Sequence, residues 1–315
     1  MTDPAVAGVS LSRLLDRLAA RLPASETPRL DAMVLVEFVS GLRRESLLAE
    51  LRTPVTDVLD AAARVRLERL IDRRAHGVPV AYLVGRREFF GRDFAVGPGV
   101  LVPRPETEHA VEAALEVLAA QPTATVHDCC TGSGCLGLSI ALERAAAGLD
   151  TELVLSDAAP AALEWAQRNV ETLVPSRSEA RDRADGHVQV ALRRLDVSAA
   201  PAAGDEGICD VVTANPPYLT AVETSTALSS GWDEPANALD GGEDGLEIYP
   251  DLARWAFRQL HPGGSVIVEH GASQAADVRA ILLDAGFCEV SAGRDLAGHE
   301  RITSARRPEN GSRPR

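Results

Sequence analysis

The chain has 315 residues, 45% of them hydrophobic, so it is long enough for two domains with buried cores. No run approaches the roughly 18 apolar residues of a membrane span, and the first residues do not resemble a signal peptide. The net charge of −14 is uneven: residues 1–75 hold 12 Arg and 11 acidic residues, whereas the rest holds 20 Arg and 35 acidic residues. The larger part would repel a polyanion, which argues against unaided binding of nucleic acid.

The five cysteines indicate a reducing compartment. They are Cys129, Cys130, Cys135, Cys209 and Cys288. Three surround one glycine-rich stretch and two fall in apolar runs, a pattern that favours buried thiols over a disulfide framework. No CxxC or flanking His pair completes a four-ligand set, so zinc is the weaker interpretation and we expect no metal. We therefore expect a cytoplasmic protein.

Residues 1–77 are predicted to form a small helical domain. Helices are expected after a Ser10 cap, after a Thr27–Pro28 cap, and over 56–76. The apolar stripes are Leu11, Leu14, Leu15, Leu18 and Leu22 in the first helix, and Leu30, Met33, Val34 and Phe38 in the second. A compact helical domain of this kind suits a recognition or docking role.

Residues 78–105 change character and predict a β-hairpin that links two domains. Its apolar positions are Val80, Tyr82, Leu83, Phe89, Phe90, Phe94 and Val96, separated by Gly85, Gly91 and Gly97. The stretch Leu101–Pro105 then predicts a turn, and Glu106 begins a helix with an acid in its first turn, where the helix dipole favours it.

From residue 106 onward strands and helices alternate, which indicates an α/β domain with a doubly wound parallel sheet. Strands are expected at 124–130, 152–156, 188–195, 208–214, 264–270, 287–293 and 300–305. Helices are expected at 136–147, 160–173, 250–260 and 273–285, with a polar insertion near 175–187 and a long loop over 215–249. No helix separates the last two strands, so we expect them to form an antiparallel edge hairpin. The domain is expected over 106–307, before a disordered tail over 308–315.

A glycine-rich loop follows the first strand of this domain. Gly132, Gly134 and Gly137 fit the pattern G-x-G-x-x-G between a strand and a helix, and Asp157 ends the second strand 20 residues later. Small residues let a ligand approach the backbone, and an acid at that point accepts hydrogen bonds from ribose hydroxyls. The pattern therefore predicts a site for an adenosine-containing cofactor.

Two further features favour S-adenosylmethionine over a dinucleotide. Asp128 precedes the loop, and its negative charge would repel a pyrophosphate but attract a sulfonium or ammonium group. The turn Asn215-Pro216-Pro217-Tyr218 ends a strand that we place beside the first one. Ligands of such sheets bind outside the carboxyl ends of strands, so we expect the turn and the loop to line one crevice.

The Asn-Pro-Pro-Tyr turn can hold a planar NH2 group. Its prolines fix φ and push Asn215 out of the helical region. An amide or exocyclic amine is a poor nucleophile, because its lone pair is delocalised. If Asn215 Oδ1 and the Pro216 carbonyl accept its hydrogens, the lone pair is freed for attack. Tyr218 could stack on the planar group, and positioning would supply most of the rate, since no obvious general base is present. The turn alone leaves an amide and a nucleobase open as substrates.

Over nearly its whole length the chain resembles the N5-glutamine methyltransferases that modify peptide chain release factors, the HemK or PrmC family. The resemblance is carried by Gly85–Phe89, Leu101–Glu108 (LVPRPETE), the loop DCCTGSG, Asp157, Asn215–Tyr218, Glu234-Pro235, Ala238-Leu239, Gly241–Leu246 and Glu269-His270-Gly271. It implies a Rossmann-like class I methyltransferase domain that uses S-adenosylmethionine and has a mostly parallel seven-stranded sheet. It also implies a helical bundle that contacts a class 1 release factor, whose Gly-Gly-Gln glutamine is methylated.

The expected site residues follow from the motifs and the resemblance together. For the cofactor they are Asp128, Cys130, Thr131, Gly132, Ser133, Gly134, Asp157, Asp196, Val197 and Asn215, with Asp196 and Val197 at the adenine. For the substrate glutamine they are Asn215, Pro216, Pro217 and Tyr218, of which Asn215, Pro216 and Tyr218 are the expected catalytic residues. No direct contact with nucleic acid or a membrane is expected.

Two residues depart from the family pattern, and three other functions stay open. Cys130 replaces the usual first glycine of the loop, and Val197 stands where the family often has an aromatic residue. The spelling CTGSGC is closer to a sister family that methylates a glutamine of a large-subunit ribosomal protein. An amino-methyltransferase of adenine or cytosine uses a similar turn. A non-catalytic adaptor with a ligand-sensing pocket is the third alternative.

Overall fold

A computed structural model describes residues 8–176, 178–179, 185–199, 207–295 and 297–309. The chain divides into two compact units, Met1–Arg86 with Thr226–Asp233, and Arg87–Ser225 with Glu234–Arg315. The predicted disordered tail lies outside the described residues from residue 310 onward, as do residues 177 and 180–184 of the polar insertion. No helix in the described ranges is both long and apolar enough to cross a bilayer.

The first unit is helical, as expected. Its helices in the described part are α1 (Leu11–Ala19), α2 (Pro28–Ser40), α3 (Arg44–Ala49), α4 (Val55–Val58), α5 (Ala61–Ala75) and α6 (Val80–Val84). Ser10 caps α1 by accepting a hydrogen bond from the backbone N–H of Arg13 (3.4 Å). The single helix predicted over 56–76 is instead two, because Asp60 starts a new helix by accepting from the N–H of Ala63 (2.6 Å).

The buried face of α2 differs from the predicted one. Leu30 and Phe38 of the predicted stripe are each 47% exposed. Met33 of the predicted stripe is buried (7% exposed), but the rest of the core face is displaced around the helix, to Ala32, Leu35, Val36 and Val39. Apolar residues occupy most of the circumference of α2, so helical spacing alone could not choose between the two faces.

Residues 80–84 form α6, not the first strand of the predicted hairpin. Gly85 ends α6 in the left-handed conformation (φ 76°), so this glycine terminates a helix where a strand boundary was expected. The hairpin is shorter, with a turn in which both Phe90 and Gly91 have positive φ (49° and 73°). Its strands are β1 (Arg86–Phe89) and β2 (Arg92–Ala95).

The second unit contains the predicted seven-stranded, mostly parallel sheet within its described residues. The strands are β3 (Thr123–Cys129), β4 (Asp150–Asp157), β5 (Val188–Arg194), β6 (Cys209–Ala214), β7 (Leu260–Glu269), β8 (Cys288–Arg294) and β9 (Glu300–Arg306). Their order is β5-β4-β3-β6-β7-β9-β8. Neighbours from β5 to β7 are parallel, whereas β9 is antiparallel to both β7 and β8. The expected edge hairpin is therefore confirmed.

Apolar clusters cover both faces of this sheet. Val211 and Ile267 belong to one cluster, whereas their neighbours Val212 and Val268 belong to the other. The alternation places helices on both sides, as a doubly wound sheet requires. These helices are α7 (Glu108–Val117), α8 (Cys135–Ala146), α9 (Pro160–Leu173), α11 (Tyr249–Gln259) and α12 (Ala275–Asp284). A short 3-10 turn, Pro105–Thr107, precedes α7.

The stretch 215–249, predicted to be a long loop, contains a further helix, α10 (Ala221–Ser229). Thr224 is its only buried residue, and Val222 is 75% exposed. A helix that buries so little has no apolar stripe, which is why the sequence pattern did not reveal it.

The two faces of α2 can be compared by mutation. We expect Leu35→Ala to lower the free energy of unfolding by about 2–5 kcal/mol, because it opens a cavity in the helical core. Phe38→Ala, at an exposed position of the same helix, should cost about 0.5 kcal/mol. Urea unfolding followed by circular dichroism measures both. A larger loss for Phe38→Ala would show that the originally predicted face is the buried one.

Candidate active site

A pocket lies at the carboxyl ends of β3, β4 and β6, where the strand order reverses. It encloses about 970 Å³ of empty space, part of it open to solvent. The predicted site residues that line it are Asp128, Cys130, Thr131, Gly132, Ser133, Asp157, Asp196, Val197, Asn215 and Pro217. The pocket lining does not include Gly134, Pro216 or Tyr218. The loop and the turn thus share one crevice, as the sequence suggested.

The glycine loop turns sharply because Cys130, Gly132 and Gly134 have positive φ (55°, 56° and 81°). Cys130 therefore occupies a conformation that glycine adopts at lower cost. Gly132 lines the pocket, and a Cβ built there would make an ordinary van der Waals contact with Val100 Cγ2, at 3.7 Å. Gly134 faces the core, where a Cβ would lie 3.1 Å from Leu138 Cδ1. A side chain at Gly134 would therefore crowd the core and not the pocket.

Asp128 is 1% exposed and is surrounded by donors. Its Oδ2 accepts from Thr131 Oγ1 (2.5 Å) and from the N–H of Gly137 (3.2 Å), and its Oδ1 accepts from Thr213 Oγ1 (2.8 Å). Burial raises the pKa of this carboxyl to about 6, although the hydrogen bonds oppose the rise. The predicted negative charge is therefore present at neutral pH. Its Oδ2 already accepts two hydrogen bonds and the side chain is almost fully buried, so we expect it to act on a ligand mainly through its electric field.

Asp157, at the end of β4, supports the loop from the other side. Its Oδ2 accepts from the N–H of Gly132 (3.0 Å) and its Oδ1 from the N–H of Ala159 (2.9 Å). Burial raises the pKa of Asp157 as well. Each oxygen of a carboxylate can accept two hydrogen bonds, so Asp157 retains capacity for a pair of ribose hydroxyls.

Asp196 and Val197 follow β5 and form the next part of the pocket wall. Asp196 Oδ1 accepts from the N–H of Ser198 (3.0 Å), and Val197 is 6% exposed. The N–H of Leu195 donates to the backbone oxygen of Asp157 (3.0 Å), which ties this segment to the end of β4.

Asn215 follows β6 directly and lines the pocket. Its Nδ2 donates to Thr107 Oγ1 (3.2 Å), which leaves Oδ1 as an acceptor for a ligand. The side chains of Pro216 and Tyr218 pack inward: Pro216 is buried, and Tyr218 packs against the core on one face of the sheet. Burial raises the pKa of the Tyr218 hydroxyl. The stacking of Tyr218 on a substrate stays a prediction.

Glu269 is a polar residue of the site that motif reasoning did not assign a role. It ends β7, is 1% exposed, and its Oε2 has no hydrogen-bond partner among the described residues. Burial raises the pKa of Glu269 to about 7, although Thr107 and two arginines oppose the rise. The signal that could have revealed it is the one that revealed Asn215, a polar residue at the carboxyl end of a central strand.

An ion pair holds the segment before α7 over the pocket. Arg104 Nη2 lies 2.5 Å from Glu234 Oε2, and Glu234 Oε1 accepts from the N–H of Val102 (2.9 Å). Glu234 is only 8% exposed, and these two contacts offset the free-energy cost of burying its carboxylate. Arg104 and Glu234 both lie in motifs that carry the family resemblance, but the sequence gives no sign that they pair across 130 residues.

Comparison with known proteins finds one matching family model and several relatives that share one name. Residues 13–85 match the family model described as the PrmC N-terminal domain. A release factor glutamine methyltransferase from Burkholderia pseudomallei (strain K96243) is 40% identical over 291 residues, or 92% of this chain and 96% of that protein. One from Neisseria gonorrhoeae (strain ATCC 700825 / FA 1090) is 37% identical, over 90% and 94% of the two chains. One from Nitratidesulfovibrio vulgaris (Hildenborough) is 35% identical, over 98% of each.

The raised pKa of Glu269 predicts a pH-dependent stability. The folded protein holds this proton up to a pH of about 7, whereas the unfolded chain releases it near 4.5, so stability is lost as the pH rises between these values. Glu269→Gln mimics the protonated form and escapes the loss, which is on the order of 3 kcal/mol. Urea unfolding should show the variant and the parent to be similar near pH 5 and the variant to be more stable near pH 8.5.

The control is Glu116→Gln, which removes an exposed carboxyl from α7. It should change stability little at either pH. A difference between Glu269→Gln and the parent that does not vary with pH would contradict the raised pKa.

Proposed function

The chain belongs to the family of release factor glutamine methyltransferases, and on that premise we propose that it methylates the glutamine of the Gly-Gly-Gln motif in class 1 peptide chain release factors. The methyl group comes from S-adenosylmethionine and is transferred to the side-chain amide nitrogen, N5. The observation that carries this proposal is the orientation of Asn215 at the pocket. With Nδ2 engaged by Thr107, Oδ1 is left to accept a hydrogen from a planar amide.

The pocket residues fit S-adenosylmethionine. The carboxyl groups of Asp128 and Asp157 favour a cationic ligand and disfavour the phosphates of a dinucleotide. Gly132 lines the pocket without a side chain, so a ligand can approach its backbone. We assign the ribose to Asp157 and the adenine to Asp196 and Val197, where an apolar side chain replaces aromatic stacking. When bound, S-adenosylmethionine supplies an electrophilic methyl group on a sulfonium.

Asn215 and Pro216 are assigned the activation of the substrate amide. Asn215 Oδ1 and the Pro216 carbonyl accept its two hydrogens, which turns the nitrogen lone pair out of conjugation. The nitrogen then bonds to the methyl carbon as the bond from that carbon to sulfur breaks, and it releases one proton to water. Both acceptors strengthen as positive charge develops on nitrogen, so they favour the transition state over the bound amide. Pro217 and Tyr218 complete the turn that presents them.

The helical unit is assigned the binding of the release factor, over residues 1–77, and residues 106–307 are assigned methyl transfer. Large apolar side chains are exposed on the helical unit, which suits a protein-binding surface. They include Leu30, Phe38, Leu48 and Val65, at 47–53% exposure. The strongly acidic remainder of the chain supports a protein substrate over a nucleic acid.

Asn215→Ala should separate catalysis from cofactor binding. Removing one positioned acceptor should lower kcat/KM for methylation of a purified release factor by about 100-fold. The measurement is the mass gain of one methyl group on the Gly-Gly-Gln peptide, with isothermal titration of S-adenosylmethionine in parallel. We expect the cofactor Kd to change by less than about threefold, since Asp157 and the loop carry most of its contacts.

Gln167→Ala is the matched control, because it removes an exposed side-chain amide from α9. It should leave methylation unchanged. Normal methylation by Asn215→Ala would defeat the mechanism, whereas S-adenosylmethionine binding without any methylation by the parent would favour a ligand-sensing adaptor. An unmodified release factor alongside a methylated ribosomal protein would select the sister activity suggested by CTGSGC. Labelled DNA or RNA would revive an amino-methyltransferase.

A further inference from the structure

Gln274 is a buried polar residue that the proposed function does not use. It immediately precedes α12 and is 8% exposed. Its backbone N–H donates to the Gly271 carbonyl (2.9 Å), and its Oε1 accepts from the Gly271 N–H (2.8 Å). Because a backbone N–H is a donor, the oxygen end of the Gln274 amide must face Gly271, so its NH2 end faces the other way.

The NH2 group of Gln274 meets three backbone carbonyls. Nε2 donates to the carbonyl of Tyr218 (3.0 Å), the last residue of the Asn-Pro-Pro-Tyr turn. It also donates to the carbonyls of Asp244 (3.3 Å) and Gly245 (3.2 Å). One side chain therefore ties the turn to the loop 239–245, here called the backing loop, and to the segment that follows β7.

The backing loop also binds the chain just beyond the turn. The N–H of Leu219 donates to the Leu239 carbonyl (2.9 Å), and the N–H of Gly241 donates to the Leu219 carbonyl (2.7 Å). These bonds run between two backbones, so they hold the end of the turn at a fixed distance from the loop. Gln274 closes the same contact with a side chain.

Glycines let the backing loop come close to the turn. A Cβ at Gly241 would lie 2.8 Å from the Pro217 oxygen, and a Cβ at Gly245 would lie 2.3 Å from the Tyr218 oxygen. The carbonyls of Pro217 and Tyr218 are thus directed at the backing loop. The Pro216 carbonyl, to which the proposed function assigns a hydrogen of the substrate, has no hydrogen bond within the described residues.

We propose that Gln274 is a positioning residue that holds the Asn-Pro-Pro-Tyr turn against the backing loop and so keeps Asn215 and Pro216 aligned with the substrate amide. This inference rests on the proposed function, because it assigns a purpose to a turn that must act on an amide. The two prolines stiffen the turn, but they do not fix where it lies. Gln274 does not line the pocket, so it acts through Tyr218 and not on the cofactor.

Gln274→Met keeps the length of the side chain and removes both ends of the amide. We expect kcat for methylation of a purified release factor to fall at least about tenfold, because a small displacement of the turn misaligns both acceptors. The Kd for S-adenosylmethionine, from isothermal titration, should stay within about threefold of the parent. A fully active Gln274→Met beside an active parent would overturn the proposal.

Gln259→Met is the matched control. Gln259 is also buried (4% exposed), but it ends α11 just before β7 begins. Because β6 and β7 are parallel, Gln259 lies at the edge of the sheet opposite to Asn215. The same substitution should therefore leave kcat within about twofold of the parent.

An Asn215→Ala background separates positioning from a merely structural role. If Gln274 acts through the turn, its loss matters mainly while Asn215 is there to be aligned. Adding Gln274→Met to Asn215→Ala should therefore cause less than about a threefold further loss, measured as a single-turnover rate with excess enzyme. An equal loss in both backgrounds would contradict the proposal.

Hydrogen exchange tests the contact without relying on catalysis. In Gln274→Met the amides of Leu219 and Gly241 should exchange at least about tenfold faster, because the turn and the backing loop separate more often. Leu153, within β4, should exchange as in the parent, and Gln259→Met should leave Leu219 and Gly241 unchanged.

The exchange rates also separate the two proposals. Unchanged rates at Leu219 and Gly241, or an equal acceleration at Leu153, would overturn the role of Gln274 even if activity falls. A parent that methylates no release factor would refute the proposed function itself, and the exchange rates would still show whether Gln274 holds the turn.

Discussion

The carboxyl group of Asp128 links three parts of the candidate site, the glycine loop, α8 and β6, and the shape of the pocket depends on it. It accepts hydrogen bonds from the loop at Thr131, from the first turn of α8 at Gly137, and from β6 at Thr213. Asn215 lies two residues after Thr213, so one buried group fixes the glycine loop relative to the Asn-Pro-Pro-Tyr turn. Three donors offset much of the cost of burying the charge, and the remaining cost is visible in a pKa raised to about 6.

The parallel sheet explains why the other polar groups of the site lie nearby. Helices cover both faces of β3, β4, β6 and β7, so the middles of these strands are largely apolar, apart from hydrogen-bonded polar side chains such as His127 and Thr213. Asp157, Asn215 and Glu269 all occur where strands end. Because parallel strands share one carboxyl edge, residues far apart in the chain come together there. Asp157 and Asn215 line the pocket, whereas Glu269 is not among the lining residues.

Repeating patterns in the sequence predicted the sheet, its edge hairpin, the glycine loop and the crevice shared with the Asn-Pro-Pro-Tyr turn. Three features of the fold were not predicted, each for a physical reason. Two apolar stripes of equal spacing compete on α2, Gly85 ends a helix where it could equally bound a strand, and α10 buries almost nothing. Spacing also gives no information on hydrogen-bond direction. The orientation of Asn215 depends on Thr107, 108 residues earlier, and this contact exists only after folding.

The position of β9 affects how the protein can fold while it is being synthesised. Among the strands that the structure describes, β9 comes latest in the sequence, yet it lies inside the sheet, between β7 and β8. Immediately beyond Glu269, the N–H of His270 donates to the backbone oxygen of Arg301 (2.9 Å), and its ring pairs with Thr303 (2.8 Å). A nascent chain therefore cannot complete this part of the sheet until β9 has been translated. A premature stop before Glu300 would remove an interior strand and leave β7 with an open edge, so truncated products are candidates for aggregation and proteolysis.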